Sequence, residues 1–364
     1  MIYLDNGATS FPKPVAVRRA VAEALETCAN PGRSGHQPSM EASKRVYQCR
    51  ERAGKLFECN PEQVVFTSNC THGLNMAIRT LVRPGGRVVI SGLEHNAVTR
   101  PLHGLGCKVT VAGRKLFNWE DTLENFRRAL DEQPDAAIFT HVSNVFGYIL
   151  PVEEMAEMCR ERGIPFVVDA AQSAGSIPLS MKKLGADFIA MPGHKGLLGP
   201  TGTGILLCGR NPEPLLMGGT GSESRRQEMP DETPDRGEAG TVNVPGIAGL
   251  EAGMKIVEQM GVGNIGCREQ AAAGKCAEEL EKLGLRVYHG PHQAGVVSFV
   301  PNGDCEMVAE KLSRAGIALR AGLHCAPLAH ESAGTLETGT VRVSFGHRAQ
   351  TDQVKALIRG IVKL

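Results

Sequence analysis

The chain has 364 residues, long enough for a large core and for about two domains. Apolar residues make up 42% and charged residues 22%, and a net charge of +1 leaves no field that would favour nucleic acid or an acidic membrane surface. No apolar run reaches the length of a spanning helix, MIYLDNGATS lacks the pattern of a signal peptide, and 11 scattered cysteines without a C-x-x-C fit a reducing cytoplasm better than a disulfide framework or structural zinc.

From about residue 60 to 210, short apolar runs alternate with amphipathic stretches. Residues 64–67 read as a strand, and Thr71 to Val82 as a helix with Leu74, Ala77, Ile78, Leu81 and Val82 on one face. Strands follow at 87–91 and 108–112, a helix at 119–131, a strand at 136–140 and a helix at 152–162. Strands at 165–169, 187–190 and 203–208 complete the run. Strands separated by helices of this length predict βαβ units and a largely parallel sheet covered on both faces. The stretch 218–240 is rich in glycine, proline and charge and reads as a long surface loop. Beyond it, helices at 246–260 and 268–283, a strand at 296–300, a helix at 305–315, a strand at 341–345 and a helix at 351–363 predict a smaller α+β domain. The division is placed at residue 245, giving a large domain 16–245 and a small domain 246–364, which residues 1–15 are candidates to join.

Ligands of α/β sheets bind at the carboxyl ends of the strands. Asp169 closes FVVDAAQ, Asn144 follows AAIFTHVSN, His95 follows RVVISGLEH and Lys195 follows DFIAMPGHK. Lys195 lies among Gly193, Gly196 and Gly199, a setting that a solvated lysine does not need and that lets backbone approach a ligand closely. Cys70 and Thr71 sit where a strand gives way to a helix N-terminus, a natural phosphate site. Alone, each residue has a bland reading: a solvated lysine, an N-cap aspartate, a core histidine, a capping threonine. Together they supply what pyridoxal phosphate (PLP) requires: a Schiff-base lysine, an acid for the pyridinium nitrogen and a phosphate cup.

The order of YLDNGATSFPKP, FTSNCTHGLN, EHNAV, HVSNVFG, VDAAQ, GHKGLLGPTGTG, EAGTVN, LRAGLHCAPL and TVRVSF resembles the class V aminotransferase-like PLP enzymes of fold type I. Within them it is most similar to the group II cysteine desulfurase and selenocysteine lyase family. That resemblance implies that Lys195 carries PLP and moves the Cα proton. Asp169 would face the pyridinium nitrogen, Gln172 the phenolic oxygen, and His95 would stack on the ring. Asn144 would lie near the phenolic oxygen and the substrate carboxylate. Arg342 would clamp that carboxylate bidentately, with Arg320 at the entrance. Thr71, the Cys70 backbone and His194 would hold the phosphate. Thr241 would reach the phosphate of a partner subunit, which implies a homodimer. Cys325, in a glycine- and proline-bounded loop after Arg320 and His324, would be the nucleophile, since nearby positive charge favours a thiolate.

The sequence departs from the pattern at several points. Pro192 stands where a phosphate-binding serine is common, Cys70 and Thr71 replace a threonine pair, and His72 replaces an acid. In Gly32-Arg33-Ser34-Gly35-His36 the first histidine of an H-R-G-x-H pattern is missing. The expected reaction is conversion of L-cysteine to L-alanine, with the sulfur passed to Cys325 as a persulfide and then to an acceptor protein. Selenocysteine lyase chemistry would run in the same way. A C–S lyase giving pyruvate, and a catalytically idle scaffold, are the competing readings.

Overall fold

The computed structural model describes residues 1–32 and 34–364; of the motif Gly32 to His36, Arg33 lies outside the described residues. A seven-stranded sheet runs in the order Val64–Thr67, Gly204–Cys208, Phe188–Pro192, Phe166–Asp169, Ala136–Thr140, Arg87–Ser91, Lys108–Ala112. Gly204–Cys208 is antiparallel to both neighbours, and the remaining pairs are parallel. The parallel strands need crossovers, and helices supply them. Because side chains alternate across a strand, each inner strand feeds two apolar clusters. Ala137 and Phe139 pack on one face with Phe126 and Phe166, while Ala136 and Ile138 pack on the other with Leu74, Ile78 and Ile90.

A second sheet is antiparallel, in the order Arg320–Gly322, Thr340–Ser344, Val296–Val300, Arg286–Tyr288. Its core holds Ala273, Cys276, Leu280, Val297, Phe299, Val341 and Leu357, together with Leu4 from the N-terminus. Ile2–Tyr3 pairs in parallel with Ile317–Ala318. The helix Val244–Met260 instead sends Val244, Ile247, Leu250 and Met254 into the cluster beside the large sheet. The helices Val15–Thr27 and Gln37–Phe57 also pack on the large sheet's side of the molecule. The segment 218–240 carries only the short turn Asp235–Gly237 and is tied down at its end by a buried ion pair, Arg50 to Glu238. Among the described residues no helix is long and apolar enough to cross a membrane.

Candidate active site

The ends of the parallel strands open on one cavity of about 230 Å³. Cys70, Thr71, His95, Asn144, Asp169, Gln172, His194 and Lys195 all line it, as does Pro192. Asp169 ends its strand and is 2% exposed. Its Oδ1 accepts from the Ala171 N–H at 2.9 Å and from the Cys70 thiol at 3.4 Å. Burial, reinforced by Asp169, raises the Cys70 thiol well above its ordinary value, so it stays protonated and acts as donor. The side chain of Cys70, and not only its backbone, therefore belongs to the site.

The glycines around Lys195 are required by close contacts. A Cβ on Gly193 would lie 2.1 Å from Thr203 Oγ1, and one on Gly196 would lie 2.2 Å from the Ala174 carbonyl oxygen. The turn is closed by Leu198 N–H to the Lys195 carbonyl at 2.9 Å and by Gly199 N–H to the Gly193 carbonyl at 2.8 Å. Burial pulls the Lys195 ammonium below its usual range, against the opposing pull of Asp169 and Cys70. A lowered lysine yields more of the free amine that proton transfer and imine chemistry need.

His95 caps the helix Asn96–Gly104, its Nδ1 accepting from the Ala97 N–H at 3.0 Å. That bond leaves the proton of the neutral ring on Nε2. Burial lowers its affinity for a second proton, with Asp169 acting in the opposite sense. Thr71 is exposed on the first turn of Cys70–Leu81, but the cap is Asn69, whose Oδ1 accepts from the His72 N–H at 2.9 Å. The cavity thus meets a helix N-terminus with its unsatisfied N–H groups. His194 Nδ1 pairs with Thr9 Oγ1 at 3.1 Å, and burial, then Lys195 and Lys13, push it down to about 4. It is neutral near pH 7. Gln172 Nε2 donates to the Gly7 carbonyl at 3.0 Å, and Asn144 Nδ2 to the His324 carbonyl at 2.8 Å.

Arg342, Arg320 and Cys325 come from the small domain. Arg342 is 2% exposed, and its Nη1 donates to the Asn144 carbonyl at 2.9 Å, which joins it to the cavity wall. Cys325 is exposed, while the following Ala326 is fully buried. His324 and Cys325 both adopt left-handed backbone, φ 50° and 58°, a conformation that costs non-glycine residues energy and marks a constrained turn. The Asn96 N–H donates to the Cys325 carbonyl at 2.8 Å, so the loop is fastened beside His95. The His324 ring turns inward to Thr340, and burial keeps it neutral. Thr241 is not in the cavity. It is exposed, in a cleft of about 300 Å³ shared with Ser68, His72 and Leu216.

Some neighbours escaped the sequence reading. Asp5 bridges Arg342 and Arg320. Lys13 donates to the His194 carbonyl at 2.7 Å. Glu94 is fully buried; its Oε1 accepts from Ser91 Oγ and from the Thr140 N–H at 2.9 Å, its Oε2 has no partner among the described residues, and burial pushes it up to about 8. The signals were present: Asp5 and Lys13 lie in YLDNGATSFPKP, and Glu94 directly precedes His95.

The sequence pattern of the class-V aminotransferases matches residues 2–357. The chain belongs to the class-V aminotransferase family. Within this family it is 34% identical to a probable cysteine desulfurase of Pyrococcus abyssi, over 98% of this chain and 92% of the relative. A probable cysteine desulfurase of Methanothermobacter thermautotrophicus is 32% identical over the same shares. The apo structure of a cysteine desulfurase from Thermococcus onnurineus matches with a TM-score of 0.91 at 33% identity, covering 100% of this chain and 94% of that one. The α/β large domain, with its mainly parallel seven-stranded sheet, is the fold type I arrangement of class-V enzymes.

Proposed function

We propose that this class-V enzyme is a PLP-dependent cysteine desulfurase, converting L-cysteine to L-alanine and passing the sulfur to Cys325. The observation that carries the proposal is the meeting of a buried Asp169, a lysine lowered by burial and a helix N-terminus in one cavity, with an exposed cysteine on a loop bonded to its rim. The relatives' names point the same way.

The donor set fits PLP. Asp169 would hold the ring nitrogen, leaving its Oδ1 to Cys70 and Ala171. Thr71, the Cys70 N–H and His194 would hold the phosphate, while Gln172 and Asn144 would lie by the phenolic oxygen. Pro192 cannot donate a hydrogen bond to the phosphate, so the N–H groups of the helix would carry more of that task. When bound, the cofactor supplies an electron sink for the Cα carbanion. Lys195 takes the Cα proton. Arg342 and Asn144 orient the substrate, with Arg320 at the entrance. The Cys325 thiolate attacks the substrate sulfur, the C–S bond breaks, and alanine departs after reprotonation, leaving a persulfide on Cys325. His95, with its proton on Nε2, would stack on the ring and shuttle protons.

Selenocysteine would react by the same steps. A sulfur-acceptor protein would receive the persulfide sulfur. A homodimer is supported by Thr241 in its open cleft and by the exposed side chains of Tyr47 and Leu216 that line clefts with it. A C–S lyase would need no Cys325. Product analysis separates the two: L-cysteine yields alanine from a desulfurase, and pyruvate with ammonia from a lyase.

A further inference from the structure

The N-terminus brings a carboxylate to the two arginines of the small domain. Leu4 is fully buried, its N–H bonded to the Ala318 carbonyl at 2.8 Å and its carbonyl to the Ser344 N–H at 2.8 Å. Asp5 then bridges alongside Ser344. This places it over Arg320 and Arg342, which are direct partners across neighbouring antiparallel strands. Partners in such a pair point to the same face, where like charges repel. Asp5 lies between them. Its Oδ1 takes Arg342 Nη2 at 2.8 Å, and its Oδ2 takes Arg320 Nε at 3.2 Å. The Asp5 side chain is 14% exposed, and that of Arg342 3%.

Arg342 is therefore held at two points, Nη1 by the Asn144 carbonyl and Nη2 by Asp5. Its buried Nε has no partner among the described residues. A buried donor without an acceptor is costly, and a ligand acceptor would remove that cost. We propose that Asp5 is the positioning residue of the substrate-carboxylate seat. Its charge fixes the Arg342 plane so that the free Nε–H meets the incoming α-carboxylate. Through Arg320 it also couples that seat to the strand leading into the Cys325 loop. The proposal rests on the reading of the protein as an enzyme acting on an α-amino acid.

The test is steady-state kinetics with L-cysteine and with its decarboxylated analogue, cysteamine, on the holoenzyme. The forms compared are wild type, Asp5→Asn, Arg342→Gln and the double variant, each checked for fold by circular dichroism. Asp5→Asn is expected to raise KM for L-cysteine by about tenfold, the lower end for loss of a charge-assisted hydrogen bond. Its kcat should move far less, and its preference for L-cysteine over cysteamine should fall. The double variant should be no worse than Arg342→Gln, because both changes disable one seat. Asp5→Glu, which keeps the charge, should restore part of the loss. If Asp5→Asn does not fold, Arg320→Gln releases the other end of the same bridge at a half-exposed side chain, and should raise KM in the same direction by a smaller factor. An unchanged or lower KM in Asp5→Asn, with Arg342→Gln impaired, overturns the role of Asp5 alone. An unchanged KM in Arg342→Gln overturns the carboxylate seat itself.

Discussion

Replacing Glu238 probes how the segment carrying Thr241 is held against the large sheet. Both carboxylate oxygens of Glu238 meet the Arg50 guanidinium, and Oε1 also accepts from the Phe66 N–H at 2.6 Å. The two side chains are 9% and 6% exposed, and the guanidinium lies 4.5 Å over the Phe66 ring. Glu238→Gln keeps the shape but leaves a buried cation without its counter-charge. Breaking such a pair from one side costs about 3–5 kcal/mol. Urea denaturation of the holoenzyme, followed by circular dichroism, reads the loss. The double variant Arg50→Met with Glu238→Leu should recover much of it, because no unpaired charge remains. It should stay about 1–3 kcal/mol below wild type, because the Phe66 N–H loses its acceptor. Glu238→Gln within about 0.5 kcal/mol of wild type, the range of an ordinary surface change, would refute the reasoning.

Two further outcomes concern Glu94 and the glycine that follows Lys195. Burial raises Glu94 from an ordinary 4.5 to about 8, so between those values the native state binds more protons than the unfolded state and stability falls as pH rises. Glu94→Gln should flatten that decline, by up to about 1.4 kcal/mol per pH unit, and parallel melting curves of the two proteins across this range would count against it. Gly196→Ala forces a Cβ to within 2.2 Å of the Ala174 carbonyl oxygen and should cost about 1–3 kcal/mol while displacing Lys195; full activity at unchanged melting temperature would contradict this.

The sheet was legible because its strands are short apolar runs between strongly periodic helices. The strands 87–91, 108–112 and 136–140 and the helix 119–131 coincide with Arg87–Ser91, Lys108–Ala112, Ala136–Thr140 and Trp119–Asp131. The first two helices, Val15–Thr27 and Gln37–Phe57, were not legible in the sequence. Gln37–Phe57 is rich in charge and buries mostly small residues, Ser39, Ala42, Cys49 and Ala53, which give little apolar contrast. The cavity residues could be gathered from motif order, since each follows a strand that ends on the same side of the sheet. Asp5 could not be reached that way. Its role depends on a strand pairing between the two ends of the chain, which no local pattern announces. The bland readings fared differently from residue to residue: His95, read as a core histidine, caps a helix, while Asp169 accepts the Ala171 N–H but no helix starts there for it to cap.

The most direct measurement is product analysis with L-cysteine and a reductant, on wild type and Cys325→Ala side by side. Alanine and sulfide from the wild type, with alanine formation lost in Cys325→Ala, is the expected result and establishes Cys325 as the sulfur acceptor. Pyruvate and ammonia at equal rates from both proteins would contradict it.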